Sequence, residues 1–268
     1  MNIDTELLCG LLVESARTEL MPRFNHIDSH LKTDGSLVTE ADLAMQRSIK
    51  AQLNLHYPRV PLLGEEMPSD HQADILDNGK QGFWCLDPLD GTSNYVAGMP
   101  CFAVSLAYMI NGQTQIGIVY DPVRDELFHA VKGAGAWLNH QPLKLNCSTT
   151  QLDRAIAMVD FKRLASPLAN QLATDPPYLS QRSIGSVALD WCWLAAGRLQ
   201  LYLHGGAKLW DYAAGTLIFE QAGGHFRLTK PHVSQSGGPK PSLDPQMAMG
   251  ATNSALFDAW NLWLAPYQ

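Results

Sequence analysis

At 268 residues the chain can bury a large core, as one domain or two. With 46% hydrophobic and 17% charged residues it has the composition of an ordinary globular protein, which excludes a disordered one. A net charge of −7 argues against non-specific binding to nucleic acid or an anionic membrane, though small anionic substrates stay open because bound divalent cations would reverse the local potential. Five scattered cysteines with no C-x-x-C pair suit a reducing compartment better than a disulfide scaffold or zinc site. The amino terminus lacks the basic-then-apolar pattern of a signal peptide, and no apolar run approaches the ~20 residues of a membrane span. A cytoplasmic location is expected.

Ile3, Leu7, Leu8, Leu11, Leu12 and Ala16 recur at helical spacing, so a first helix is expected to about Leu20, before Pro22. Phe24 to Leu37 is polar and turn-rich. Thr39 followed by Asp42 has the form of a capping box opening a helix through about Tyr57, and capping alone would explain Asp42. Arg59 to Leu63 reads as a strand running into Gly64-Glu65-Glu66. Met67 to Gln81, polar and weakly periodic, is expected to be a mobile surface loop.

Phe83 to Leu86 is an apolar run that reads as a buried strand ending at Asp87, because Pro88 cannot donate to a sheet ladder. Gly91 then allows a tight turn, and Thr92-Ser93 starts a helical turn whose free N–H groups can hold a phosphate. Asp87, Asp90 and a loop carbonyl, with Leu89 the candidate, converge at this strand end. Hard oxygen donors of this kind suit magnesium. The alternative is an ordinary Asp-Pro-Gly surface turn; the second acidic strand end, at Glu65, favours the metal site.

Phe102 to Tyr108 and Ile116 to Tyr120, joined by Asn111-Gly112, predict a hairpin, extended into a meander by Glu126 to Val131 and Gly135 to Leu138. A division at 147/148 is expected, giving an amino-terminal half over 1–147 and a carboxy-terminal half over 148–268. In the second half a strand, Ala155 to Val159, precedes a polar helical stretch to about Thr174. Arg182 to Val187 leads into an apolar helix, Ala188 to Ala196, stopped by Gly197. A strand over Leu199 to Leu203 precedes a helix from Trp210, with Asp211 in its first turn, where the helix dipole alone would favour an acid. Gly223-Gly224 closes that helix. A short strand, a Gly/Ser/Pro-rich loop over Pro231 to Pro245, a final strand Met247 to Ala251 and a helix capped by Ser254 complete the chain.

Three spaced acidic motifs, Gly64-Glu65-Glu66, Asp87-Pro88-Leu89-Asp90-Gly91-Thr92 and Trp210-Asp211-Tyr212-Ala213-Ala214-Gly215, occur in an order that resembles the inositol monophosphatase family. The resemblance runs from Lys32 and Val38-Thr39…Asp42 to Gly223-Gly224. It implies a layered αβαβα sandwich, an amino-terminal α+β half packed on a carboxy-terminal α/β half, and a homodimer. It also implies that Glu65, Asp87 and the Leu89 carbonyl hold one magnesium, that Asp87, Asp90 and Asp211 hold a second, and that a third, weaker ion leans on Glu65. Glu65 and Thr92, the latter supported by Asp42, would orient the attacking water. Gly91 and Thr92 amides would hold phosphate oxygens, with Asp90 and Asp211 beside the substrate, Lys32 near the entrance, and Gly185, Ser186 and Val187 along the substrate alcohol.

The chemistry is consistent with those residues. A dianionic phosphate ester would be repelled by four or five carboxylates, so cations are needed for binding as well as for activating water and stabilising the leaving alkoxide. The expected activity is magnesium-dependent hydrolysis of a small polyol or sugar-like phosphate, by two or three ions, with a small phosphorylated substrate and neither nucleic acid nor membrane as partner. Histidinol phosphate, fructose 1,6-bisphosphate and adenosine 3′,5′-bisphosphate are alternative substrates, and a non-enzymatic partner in a larger assembly is the alternative of another class. One departure bears on the substrate: where inositol-specific members carry a glutamate seven residues before the metal aspartate, this chain has His204. His204 and Lys208 would favour a substrate with an acceptor or a second anionic group, unless His204 points to solvent.

Overall fold

The computed structural model describes residues 3–24, 29–31, 37–229 and 241–267. Lys32, and residues 231–240 of the expected Pro231–Pro245 loop, lie outside them. In chain order the elements are α1 Thr5–Glu19, β1 Ser29–Leu31, β2 Leu37–Thr39, α2 Glu40–His56, β3 Leu62–Gly64, α3 Ser69–Asn78 and β4 Phe83–Asp90. Then follow α4 Thr92–Val96, β5 Ala103–Ile110, β6 Gln113–Asp121, β7 Glu126–Val131, β8 Gly135–Leu138 and β9 Gln141–Leu143. The second half has β10 Ile156–Asp160, α5 Ser166–Thr174, β11 Ser180–Arg182, α6 Val187–Ala195, β12 Leu201–Ala207 and α7 Leu209–Gln221. It ends with β13 His225–Thr229, β14 Gln246–Ala251 and α8 Ser254–Leu264.

These elements stack as five layers. A seven-stranded sheet runs β3-β4-β5-β6-β7-β8-β9, antiparallel except for the parallel β3–β4 pair. A five-stranded sheet runs β11-β10-β12-β14-β13, with β10 parallel to both of its neighbours. Helices α1 and α2 cover the outer face of the larger sheet, burying Leu8, Leu12, Met45, Ile49 and Leu53 against Trp84, Leu86 and Ile118. Helices α5 and α8 cover the smaller sheet; Leu256, Trp260 and Leu264, four residues apart, lie on one buried face, where each leucine contributes about 2 kcal/mol. Helices α6 and α7 fill the middle, in a core containing Phe83 and Val119 from one sheet and Tyr202 and Ala248 from the other. Residues 209–219 of α7 are all buried, as a helix apolar all round must be. Gly117 of β6 permits the approach of α7, since a Cβ there would lie 2.6 Å from the Ala214 carbonyl oxygen. The layered αβαβα sandwich is the observed fold, and residues 144–151 connect its two sheets without regular structure.

Three sequence expectations are corrected. The strand does not stop at Asp87: β4 continues through Pro88 to Asp90, and a bulge between Asp87 and Asp90 absorbs the proline. Met67 to Gln81 is not a mobile loop but contains α3, held by Gln72, whose buried amide donates to the carbonyls of Gly64 (2.8 Å) and Glu65 (3.2 Å). The cap of α8 is Asn253, which accepts from the Leu256 N–H at 2.9 Å, and Ser254 is the first helical residue. Among the described residues no helix is long and apolar enough to cross a membrane.

Candidate functional site

The site forms where β4 ends against the amino termini of α6 and α7. Asp87 Oδ1 accepts from the Leu89 N–H at 2.9 Å, which folds the Pro88 bulge back on itself. Gly91 then turns the chain at φ +94°, and a Cβ there would meet the Cys101 carbonyl oxygen at 2.9 Å, so this tight reversal into α4 excludes a side chain. Asp90 reaches the other half of the molecule: its Oδ2 accepts from Ser186 Oγ and from the Ala188 N–H, both at 2.6 Å. Ser186 is also the N-cap of α6, and Asn94 of α4 secures the approach by donating to the Ile184 carbonyl at 2.6 Å. Asp211, in the first turn of α7, accepts from the Lys208 N–H at 2.8 Å.

These links bring one carboxylate oxygen from each of Asp87, Asp90 and Asp211 within 4.8 Å of one another. All three side chains are buried, and none has a lysine or arginine ion-pair partner among the described residues. Burial, with Glu65, Asp90 and Asp211 as charged neighbours, pushes the Asp87 carboxyl well above its ordinary range. Burial first, then Asp90 and Glu65, does the same to Asp211. Asp90 is pushed up to about 6 by burial, against the lowering effect of its Ser186 and Ala188 hydrogen bonds. A buried triad of uncompensated acids with oxygen donors alone fits hard divalent cations, which would remove the repulsion that otherwise forces protons onto the cluster.

Asp42 stands behind Thr92. Its Oδ2 accepts from the Thr39 N–H (2.8 Å) and Thr39 Oγ1 (2.5 Å), completing the capping box of α2, while Oδ1 faces Thr92 Oγ1 at 3.1 Å. The Thr92 hydroxyl has one proton, directed to Asp42 or to the Leu89 carbonyl at 3.0 Å, so its lone pairs are left for a further donor. Glu65 follows β3, its N–H bonded to the Leu86 carbonyl at 3.1 Å.

A cavity of about 210 Å³ opens over this cluster and is lined by Glu65, Asp87, Leu89, Asp90, Gly91, Thr92, Gly185, Ser186, Val187, His204, Lys208 and Asp211. Asp42 reaches it through Thr92. Sequence reasoning missed Asp160, Arg163 and Asp190, which share this lining. Asp190, buried in α6, is pushed far above its ordinary range by burial and by Asp90 and Asp160. His204 does not point to solvent: it is 2% exposed, its Nδ1 accepts from the Gly206 N–H at 3.2 Å, and its Nε2 lies 3.2 Å from Asp160 Oδ2. Both ring nitrogens are therefore engaged within the protein. Among the other histidines, His129 stacks on Trp137, away from the cavity.

Known proteins resemble this chain in sequence and fold. The model of the inositol monophosphatase family matches residues 4–256. A protein from Pasteurella multocida named Nus factor SuhB is 36% identical over 225 residues, covering 79% of this chain and 82% of that one. Inositol monophosphatase 1 from Solanum lycopersicum is 35% identical over 235 residues, covering 83% and 85%. Inositol monophosphatase II from Staphylococcus aureus superposes with a TM-score of 0.80 at 28% identity over 97% of this chain and 95% of that one. The inositol monophosphate-bound structure of SaIMPase-II gives 0.78 at 27% identity, over 97% and 93%.

Proposed function

We propose, on the premise that this chain belongs to the inositol monophosphatase family, that it is a magnesium-dependent phosphomonoesterase acting on a small polyol or sugar-like phosphate. The observation that carries this reading is the buried triad Asp87, Asp90 and Asp211, with oxygens within 4.8 Å, at the floor of a cavity that Thr92 also lines. Glu65, Asp87 and the Leu89 carbonyl would hold one ion and Asp87, Asp90 and Asp211 a second, with a third leaning on Glu65. Bound there, Mg²⁺ supplies charge to offset the phosphate dianion, acidify a water and stabilise the leaving alkoxide.

The protein's own residues set the geometry. Thr92 gives its single proton to Asp42 or the Leu89 carbonyl and accepts from the attacking water, turning a water lone pair toward phosphorus. Glu65, held by its backbone bond to β4 and by Gln72, accepts the second water proton. Gly91 and Thr92 amides hold phosphate oxygens, and Gly185, Ser186 and Val187 line the alcohol. Ser186 and the Ala188 amide fix one oxygen of Asp90 and so hold its carboxylate in place beside the cluster. A homodimer is part of this proposal.

Phosphate release from inositol 1-phosphate, histidinol phosphate, fructose 1,6-bisphosphate and adenosine 3′,5′-bisphosphate, with magnesium and with chelator, tests it. Release from at least one ester with magnesium and none after chelation is expected; full turnover after exhaustive chelation would refute it. The name of the Pasteurella relative supports a second reading, a partner in a larger assembly. That role alone needs no acid triad, and absence of phosphate release from any ester would favour it.

A further inference from the structure

The wall of the cavity opposite β4 carries cations that the proposed hydrolysis does not use. Arg163 ends a 3₁₀ turn, Phe161–Arg163, that follows β10, and Lys208 follows β12; both line the cavity. The Arg163 guanidinium donates from Nη1 to the Gly206 carbonyl at 2.8 Å, and neither it nor the Lys208 ammonium pairs with a carboxylate among the described residues. Four of the five guanidinium N–H groups and all three ammonium hydrogens are thus left to other partners.

The position of Arg163 is built into the strand beneath it. Strand β12 bulges between His204 and Ala207, where the turn seats. A Cβ at Gly205 would lie 2.0 Å from the Arg163 carbonyl oxygen, so the turn rests directly on backbone. At its other end Asp160 is held twice, by the Lys162 N–H at 2.8 Å and by His204 Nε2 at 3.2 Å. The charge of Asp160 is therefore partly committed to these groups. The buried histidine that stands where the family's glutamate is expected acts as a brace for this turn, and its nitrogens are not free for substrate hydroxyls.

We infer that Arg163 and Lys208 form a second-anion subsite, so that the preferred substrate carries, besides the scissile phosphate, a second phosphate or other anionic group on its alcohol. This rests on the phosphomonoesterase reading above. A guanidinium fixed at one N–H presents its remaining donors as a fork suited to phosphate oxygens, and an ammonium adds a point charge beside it. The same wall disfavours histidinol phosphate, whose alcohol brings an ammonium group.

The test compares matched pairs sharing one scissile ester: fructose 1,6-bisphosphate against fructose 1-phosphate, and adenosine 3′,5′-bisphosphate against adenosine 3′-monophosphate. In the wild type the ratio of kcat/KM values should favour the doubly charged member of at least one pair by about 10-fold or more. Arg163→Gln and Lys208→Gln should each lower that ratio about 5–10-fold, and Arg163→Lys should retain part of it. A merely structural role would lower both members of a pair together and leave the ratio where it was, which would overturn the subsite. A wild-type ratio near one in both pairs would overturn it too, with the hydrolase reading intact. Absence of magnesium-dependent phosphate release from these four esters would overturn the subsite, and its absence from inositol 1-phosphate and histidinol phosphate as well would overturn the hydrolase reading.

Discussion

Replacing Asp87 by asparagine should stabilise the metal-free protein while abolishing turnover. Its carboxylate is 2% exposed and has an oxygen within 4.8 Å of those of Asp90 and Asp211. At an effective dielectric of about 20, each fully charged pair at that distance costs about 3.5 kcal/mol. The folded protein escapes part of that repulsion by keeping protons, at a cost that grows as pH rises above the ordinary carboxylate range. The pairwise repulsion is the ceiling. The new amide can still accept from the Leu89 N–H through its oxygen, but its own hydrogens need partners, so a net gain of about 2–3 kcal/mol at pH 8 is expected.

The sign follows from linkage. A carboxyl whose folded pKa is raised binds more protons folded than unfolded, so its destabilising effect sets in as pH rises above about 4 and grows toward the folded pKa. The advantage of Asp87→Asn should therefore be large at pH 8 and near zero at pH 4. Urea denaturation in chelator at both pH values measures it. Saturating magnesium should reverse the order, since a ligand at about 1,000-fold its Kd stabilises the wild type by about 4.1 kcal/mol and the variant far less. A metal-free variant less stable than wild type at pH 8, or one gaining as much from magnesium, would refute the reasoning.

Calcium should inhibit in competition with magnesium, because its longer bonds and looser geometry misplace water and leaving group; initial rates at fixed magnesium with rising calcium check this. Thr92→Ala should lower kcat by about 10–100-fold with a much smaller change in KM, because the hydroxyl that orients water contributes mainly in the transition state, and Thr92→Ser should recover most of the loss. Gly205→Ala should destabilise by about 1–3 kcal/mol, read as a lower urea midpoint, because its Cβ would meet the Arg163 carbonyl oxygen at 2.0 Å.

The acids at strand ends were legible because each follows an apolar run: Leu62-Leu63 before Glu65, and Phe83 to Leu86 before Asp87. The Asn111-Gly112 hairpin and the capping box at Thr39 were equally visible, being local chemistry. Pro88 misled because the rule that proline ends a strand is local, whereas pairing of Asp90 with Ala103 across the bulge is tertiary. Helix α3 was hidden for a similar reason: its polar sequence has weak periodicity, and its anchors are the Gln72 amide, reaching carbonyls eight and seven residues back, and Ile75 and Leu76, half-buried against the core. Strands β9 and β11, three residues each, are too short for periodicity to register. The Asp160–His204 brace could not be read at all, since its partners are 44 residues apart and meet through the parallel pairing of β10 with β12.

The proposed hydrolysis requires the triad beneath the cavity to hold divalent cations that bring a phosphate into reach of Thr92. Crystals soaked with manganese and inorganic phosphate, measured for anomalous scattering, test it most directly. At least two manganese peaks are expected, one coordinated by Asp87, Asp90 and Asp211 and one by Glu65 and Asp87, with phosphate bridging them next to Gly91 and Thr92. Manganese elsewhere on the protein with none among these carboxylates, at a concentration that supports phosphate release in solution, would contradict it.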